Sequence, residues 1–187
     1  MTQPTRIGTR EQILETALEL FTTQGYDATS LREIADRLGL TKAAVYYHFP
    51  AKELLLLELT RPFLDGLSRM VTDLRAGEPA DPESVLAAYL DLFIEHIGMV
   101  GLLGREPATL YHPDIGQRVR SLVTAIQQHL AGPDPSASRS VRTACAMGVV
   151  HALPQMPVRV LPDQRDTVLA AALAALGEGT GIQSAAN

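Results

Sequence analysis

The sequence predicts an all-α fold of about nine helices. Three observations carry this reading. Apolar residues recur at i, i+3, i+4 and i+7 along most of the chain, as in Leu31, Ile34, Ala35 and Leu38. Glycine and proline cut the pattern at helix-sized intervals, most clearly over residues 77–82 and 132–135. Capping residues stand at the edges of the resulting segments: Ser30 three residues before Glu33, Thr41 before a short apolar run, and Asp81 followed by Pro82.

Residues 1–8 form a polar arm, from which Arg6 would reach a minor groove unless the arm is simply a free terminus. Thr9 is the expected cap of the first helix, with Ile13, Leu14, Ala17, Leu18 and Phe21 as its buried face and Gly25 as its stop. Tyr26 is expected to pack back on this bundle. A second helix from Leu31 stops at Gly39, which accepts the left-handed conformation. Thr41 caps a third, with Val45 and Phe49 inward. Two short helices joined by a tight turn outline a helix-turn-helix, whose second helix enters the DNA major groove. Lys42, Ala43 and Ala44 suit that role, having no acid and little bulk, while Tyr46, Tyr47, His48 and Lys52 offer donors to flanking phosphates. Successive helical residues are about 100° apart, so Tyr46 and Tyr47 cannot both be buried. The plainer alternative is a helical hairpin with surface tyrosines.

From Pro50 a long helix is expected, with too many apolar residues for one narrow stripe: Leu54, Leu55, Leu57, Leu59, Phe63, Leu64, Leu67, Met70, Val71 and Leu74. Such a helix touches apolar material on two sides, as a connector between a head (residues 1–50) and a body (51–187) would. Pro62 removes one backbone donor and crowds the Glu58 carbonyl, giving either a kink without consequence or a hinge. Asp81 and Pro82 start a fifth helix to about Ile97, with Val85, Leu86, Tyr89, Leu92, Phe93 and His96 on its apolar side. The glycines of 98–104 admit close helix approach or leave room beside Leu102 and Leu103; no strand precedes them and no Lys-Ser/Thr pair follows, so they are not a phosphate loop. Further helices are expected from Pro113 to about Ala131, from Ser136 or Ser138 to about Leu153, and from about Asp163 to Leu176, before a disordered tail from about residue 177. Ala144, Gly148 and Ala152 on the eighth helix give a small face, as do Val168, Ala172 and Ala175 beside Leu169, Leu173 and Leu176 on the ninth. These faces suit a four-helix interface between two copies, or close packing inside one.

With 187 residues and 46% apolar content, the chain can bury one good core and a second small one. Its net charge of −5 is unevenly spread: residues 1–52 hold six basic and six acidic side chains, and the remainder ten and fifteen. A neutral head on an acidic body presents only the head to phosphates. The single cysteine, Cys145, excludes an intrachain disulfide and a four-thiolate zinc site, and it is expected as a small core residue. No apolar run approaches the roughly twenty residues of a membrane span, and no signal-peptide core is evident at the start, so a cytoplasmic location is expected. Five scattered histidines and the lack of a nucleophile elbow or nucleotide loop argue against metal, cofactor and enzyme chemistry. The candidate ligand cavity lies among the fourth to eighth helices, from Phe63, Leu67, Met70, Tyr89, Phe93, His96, Met99, Leu103, Tyr111 and Ile126. A few polar tips among apolar walls suit an uncharged or anionic, largely apolar ligand, although each residue alone serves equally as plain core.

The run from Ile34 to Leu54, Ile-Ala-Asp-Arg-Leu-Gly-Leu-Thr-Lys-Ala-Ala-Val-Tyr-Tyr-His-Phe-Pro-Ala-Lys-Glu-Leu, resembles the signature of the TetR family of bacterial transcription regulators. So does its prelude, Ile13 to Phe21 followed by Gly25 and Tyr26, and the resemblance covers about residues 9–57. It implies a helix-turn-helix head joined by a long helix to a helical ligand-binding and dimerisation domain. It further implies a homodimer; the small faces of the last two helices would hold the two copies together, and two-fold symmetry then places the reading helices on a palindromic operator in double-stranded DNA. Repression would be relieved by a small-molecule effector. Position by position, it makes Arg32, Lys42, Ala43 and Ala44 base-facing, and it turns Ser30, Tyr46, Tyr47, His48 and Lys52 toward phosphates. The two alanines offer only methyl contacts, which leaves Arg32 and Lys42 as the main readers. The alternative expectation is a small-molecule sensor or carrier that acts through protein partners without specific DNA binding.

Overall fold

The computed structural model describes residues 8–77, 80–105, 113–156 and 161–177. Among the described residues there are nine α-helices and no strand: α1 Thr9–Gln24, α2 Leu31–Leu38, α3 Lys42–His48, α4 Lys52–Ala76, α5 Pro82–Glu95, α6 Ile97–Arg105, α7 Pro113–Ala131, α8 Ala137–His151 and α9 Leu161–Leu176. No single helix among them is long and apolar enough to cross a membrane. The Arg6 arm, Tyr111 and the tail beyond 177 lie outside the described residues. The chain packs as two compact units, Met1–Pro62 with Gly98–Gln117, and Phe63–Ile97 with Arg118–Asn187.

In the first unit α1 begins one residue earlier than its expected cap implies. Gly8 is the cap, and its backbone N–H donates to the Glu11 carboxylate at 2.8 Å, so Thr9 is already helical. The inward stripe is Ile13, Ala17, Leu20 and Phe21, while Leu14 and Leu18 are half-buried. Leu18 turns instead toward α6, where a Cβ built on Gly98 would lie 3.8 Å from its Cδ2. Gly25 stops α1, and the Phe21 and Tyr26 rings meet edge to face at 5.0 Å. Phe49 is extended, as the residue before a proline must be, which ends α3 and delays α4 until Lys52. α4 then runs through Pro62, whose missing N–H leaves the Glu58 carbonyl without its helical donor.

In the second unit Asp81 caps α5, accepting from the Ser84 N–H at 2.9 Å and its hydroxyl at 2.6 Å, with Pro82 in the first turn. Gly66 lets α4 and α5 close up, since an added Cβ would collide with Leu92 Cδ1. The core gathers Phe63 and Leu67 of α4, Tyr89, Leu90 and Phe93 of α5, Ile126 of α7, Met147 and Val150 of α8, and Ala172 of α9. Its rings interlock. Phe93 meets Phe63 edge to face at 5.3 Å, Tyr89 at 4.7 Å, and stacks on His151 at 5.4 Å. The Tyr89 hydroxyl lies 2.7 Å from His151 Nε2, and the hydroxyl is the donor when the neutral imidazole carries its proton on Nδ1. Arg165 of α9 forks onto both carboxylate oxygens of Asp91 on α5.

Two outcomes follow. Gly39 sits at φ 65°, ψ 25°, so Gly39→Ala should lower the urea midpoint of the head by the equivalent of about 1–2 kcal/mol and Gly39→Asn by less. Desolvation of the ring face against Tyr89 and Phe93, on a residue otherwise exposed, lowers the His151 pKa from its ordinary 6.5, so the unfolded chain binds the proton first as pH falls. Stability from this site is present above about pH 6.5 and is lost as pH drops through the lowered value. Urea midpoints measured from pH 7.5 to 5 should therefore fall less steeply in His151→Phe than in the parent.

Candidate nucleic-acid interface

The geometry of α3 is set by its two neighbouring stops. Gly39 in the left-handed region closes α2, with the Leu40 N–H on the Ala35 carbonyl at 2.9 Å and the Gly39 N–H on that of Asp36 at 3.2 Å. One residue later the Thr41 hydroxyl accepts from the Ala44 N–H at 3.1 Å and starts α3. Val45 and Phe49 are buried to 0% and 2% exposure, which fixes the face that turns outward. That face carries exposed Lys42, Ala43, Tyr46 and Tyr47, with Ala44 and His48 half-buried. Both tyrosines are thus outside, Tyr47 at 84% exposure. The Lys42 ammonium lies 5.0 Å from the centre of the Tyr46 ring, and Tyr47 meets His48 edge to face at 5.3 Å. α3 contains no acidic residue.

Arg32 stands on the exposed side of α2, its Nε 3.8 Å from an Asp36 carboxylate oxygen. Both side chains are more than 70% exposed, so the pair is worth well under about 1 kcal/mol and holds the guanidinium loosely. The Ser30 hydroxyl accepts from the Glu33 N–H at 3.1 Å, as expected. The return bond of a full capping box is replaced: the Glu33 carboxylate takes the Gln24 amide at 2.9 Å instead. Lys52 is held differently from the other cations. Its ammonium donates to the carbonyls of Tyr26 at 2.7 Å and Thr29 at 3.1 Å, reaches that of Asp27 at 3.5 Å, and sits 4.2 Å from the centre of the Tyr26 ring. No local spacing points to these acceptors, which lie 23 to 26 residues upstream.

Of the ligand candidates, Phe63, Leu67, Tyr89, Phe93 and Ile126 are buried in the second unit, with Met70 and His96 half-buried there. The His96 ring meets Phe63 at 6.0 Å. Met99 and Leu103 are buried in the first unit. His151, not among the candidates, joins the aromatic cluster; its spacing of four from Met147 on the apolar side of α8 is the signal that would have found it. Met70 also lines an open groove of about 520 Å³ between α4 and α5, beside Gly66, Leu74, Val85, Leu92, Arg69, Asp73 and Glu95. Among the described residues no group of three or more His, Cys, Asp or Glu side chains is placed to hold a metal ion.

The last two helices pack on each other through Ala146, Met147 and Val150 of α8 and Val168, Ala172 and Leu176 of α9. Leu169, Leu173 and Ala175 are half-buried, so the inward stripe of α9 differs from the expected small-residue line. Val141, Ala144, Cys145 and Gly148 are exposed on α8, as are Ala170, Ala171 and Ala174 on α9. Cys145 is therefore a surface residue and not a core one, because the helix turns Ala146 and Met147 inward in its place.

The sequence profile described as "Bacterial regulatory proteins, tetR family" matches residues 13–59. The HTH-type transcriptional regulator AcrR of Shigella flexneri is 40% identical over 82 residues, 44% of this chain and 38% of that protein. The HTH-type transcriptional repressor KstR2 of Mycobacterium tuberculosis is 40% identical over 89 residues, 46% and 44% of the two chains. The match thus spans less than half the length of either curated relative, and such relatives are named regulators, not enzymes. In fold, the chain is similar to Mycobacterium smegmatis AmtR, with a TM-score of 0.72 over 97% of this chain and 91% of that one, at 24% identity. By these matches residues 13–59 are a helix-turn-helix segment of the tetR family of bacterial regulatory proteins, with likeness of sequence concentrated in this head and likeness of fold extending over the rest.

Proposed function

We propose that this chain is a cytoplasmic, homodimeric, ligand-responsive regulator that binds a palindromic DNA operator and represses until a small, largely apolar molecule enters the body. The observation that carries this reading is the outward face of α3, free of acids and fixed by buried Val45 and Phe49. Residues 1–50 form the DNA-binding head and 51–187 the ligand-binding and dimerisation domain. Arg32 and Lys42 read bases, Ala43 and Ala44 give clearance beside the capping Thr41, and Ser30, Tyr46, Tyr47 and His48 contact phosphates. The sign of regulation follows the KstR2 relative, whose name is that of a repressor.

The proposed partner surface is the apolar outer face of α8 and α9, where Val141 is 62% exposed in the single chain. A Cβ built on Gly148 meets nothing within 4 Å, so a second helix can approach there. Two-fold pairing would set two copies of α3 about one DNA turn apart, hence the palindrome.

Selection of bound fragments from random genomic DNA, followed by sequencing, tests the reading: a shared palindrome is expected, and its absence favours a sensor acting through protein partners. Arg32→Ala should relax base choice at one position of each half-site by about 1–3 kcal/mol. Val141→Glu with Gly148→Glu should give a monomer in sedimentation and abolish selection of paired half-sites, with the helical signal retained.

A further inference from the structure

We infer that Lys52 is a positioning residue of the reading head, whose ammonium ties the first turn of α4 to the α1–α2 turn and takes no DNA phosphate. The inference rests on the proposal that α2 and α3 read duplex DNA, and it reassigns one of the cations expected at the backbone.

An ammonium has three donors and no acceptor. Here those donors face the carbonyls of Tyr26, Thr29 and, more weakly, Asp27, and the Tyr26 ring covers another side of the cation. Burial, followed by the Glu53 and Asp27 carboxylates, raises the Tyr26 phenol to about 12, so the ring stays neutral beneath the charge. A phosphate contact would require leaving these acceptors. The exchange is poor, because Thr29 is only 2% exposed and its freed carbonyl would gain little water.

The turn that Lys52 closes is the one that aims α2. The Tyr26 carbonyl also accepts from the Thr29 N–H at 3.2 Å, the Thr29 hydroxyl donates to Gly25 at 2.8 Å, and the next residue, Ser30, caps α2. Arg32 follows within the first turn of that helix. Residue choice agrees with the geometry. The chain has fourteen arginines and only two lysines, Lys42 and Lys52. A compact tetrahedral ammonium meets acceptors that converge on one point, whereas a planar guanidinium fork prefers two parallel acceptors.

Two measurements test this. With so few lysines, acylation of the intact protein by acetic anhydride can be read at both sites by mass spectrometry. Lys42 should react readily when free and be protected by operator DNA, while Lys52 should react about tenfold more slowly, equally with and without DNA. Ready reaction of free Lys52, with protection by DNA matching that of Lys42, would overturn the inference without any variant. In the second, Lys52→Met should lower the ratio of operator to random-DNA affinity about tenfold with an unchanged salt slope, and Lys52→Arg should restore part of that ratio. A slope flatter by about 0.9 with the ratio preserved identifies a phosphate ligand and also overturns it. Equal affinity of the unsubstituted protein for operator and random DNA would instead refute the parent proposal, a result distinct from either of these.

Discussion

Seven residues of α-helix do not hold themselves in water. Nucleation costs more than one or two turns of hydrogen bonds return, and most helical stability in proteins comes from packing. α3 exists because Val45 and Phe49 are buried beneath it, because Thr41 satisfies a donor at its start, and because Gly39 turns the chain sharply enough to place it. Burying those two side chains contributes roughly 1.5–3 kcal/mol each, more than the cap, which contributes about 1 kcal/mol. The buried pair therefore decides the orientation of the helix, and the cap and turn decide where it begins. With the inner side committed, Lys42, Tyr46 and Tyr47 have nowhere to go but outward. The proposed interface is the remainder of a packing solution.

What was legible in the sequence and what was not divides along sequence separation. Gly39, Thr41, Ser30, Asp81 and the stop at Gly132 act within four residues of themselves, so their residue types announce their geometry. The inward faces of α1 and α9 were legible only to within about one residue of rotation. Leu20 is buried where Leu14 and Leu18 are half-buried, and the neighbour that Leu18 meets is Gly98 of α6, distant in sequence. His151 against Tyr89 spans 62 residues, Arg165 against Asp91 spans 74, and Lys52 against Tyr26 spans 26. A resemblance read along the chain places such side chains by family habit; only the fold names their partners.

The second unit ties its central helix to both of its last helices by polar bonds, not by packing alone. α5 holds α8 through Tyr89 and His151, and α9 through Asp91 and Arg165. The two links differ in kind. The first is partly buried and neutral, and a proton on His151 would reverse its direction, Nε2 then donating to the phenol oxygen. The second is a charged fork at the surface, weakened by salt more than by pH over the neutral range. A change in the aromatic cluster would thus reach α8 through this hydrogen bond and the Phe93–His151 stack, on a helix whose outer face is the proposed contact with a second copy.

The cations of the head fall into two groups by what already holds them. Among the described residues Arg32 is bound by a long, exposed contact with Asp36 and Lys42 by the face of Tyr46, so each can turn to a new acceptor at small cost. Lys52 has its donors engaged by backbone carbonyls, and Arg37 closes on Glu19 at 2.9 Å between α2 and α1. Residues 1–52, with six acids for six bases, can still approach phosphate on this account. Charge that is spent internally shapes the frame, while the loosely held Arg32 and Lys42 stand exposed on α2 and α3. Net charge is then a poor guide to binding, and the strength with which each cation is already satisfied is a better one.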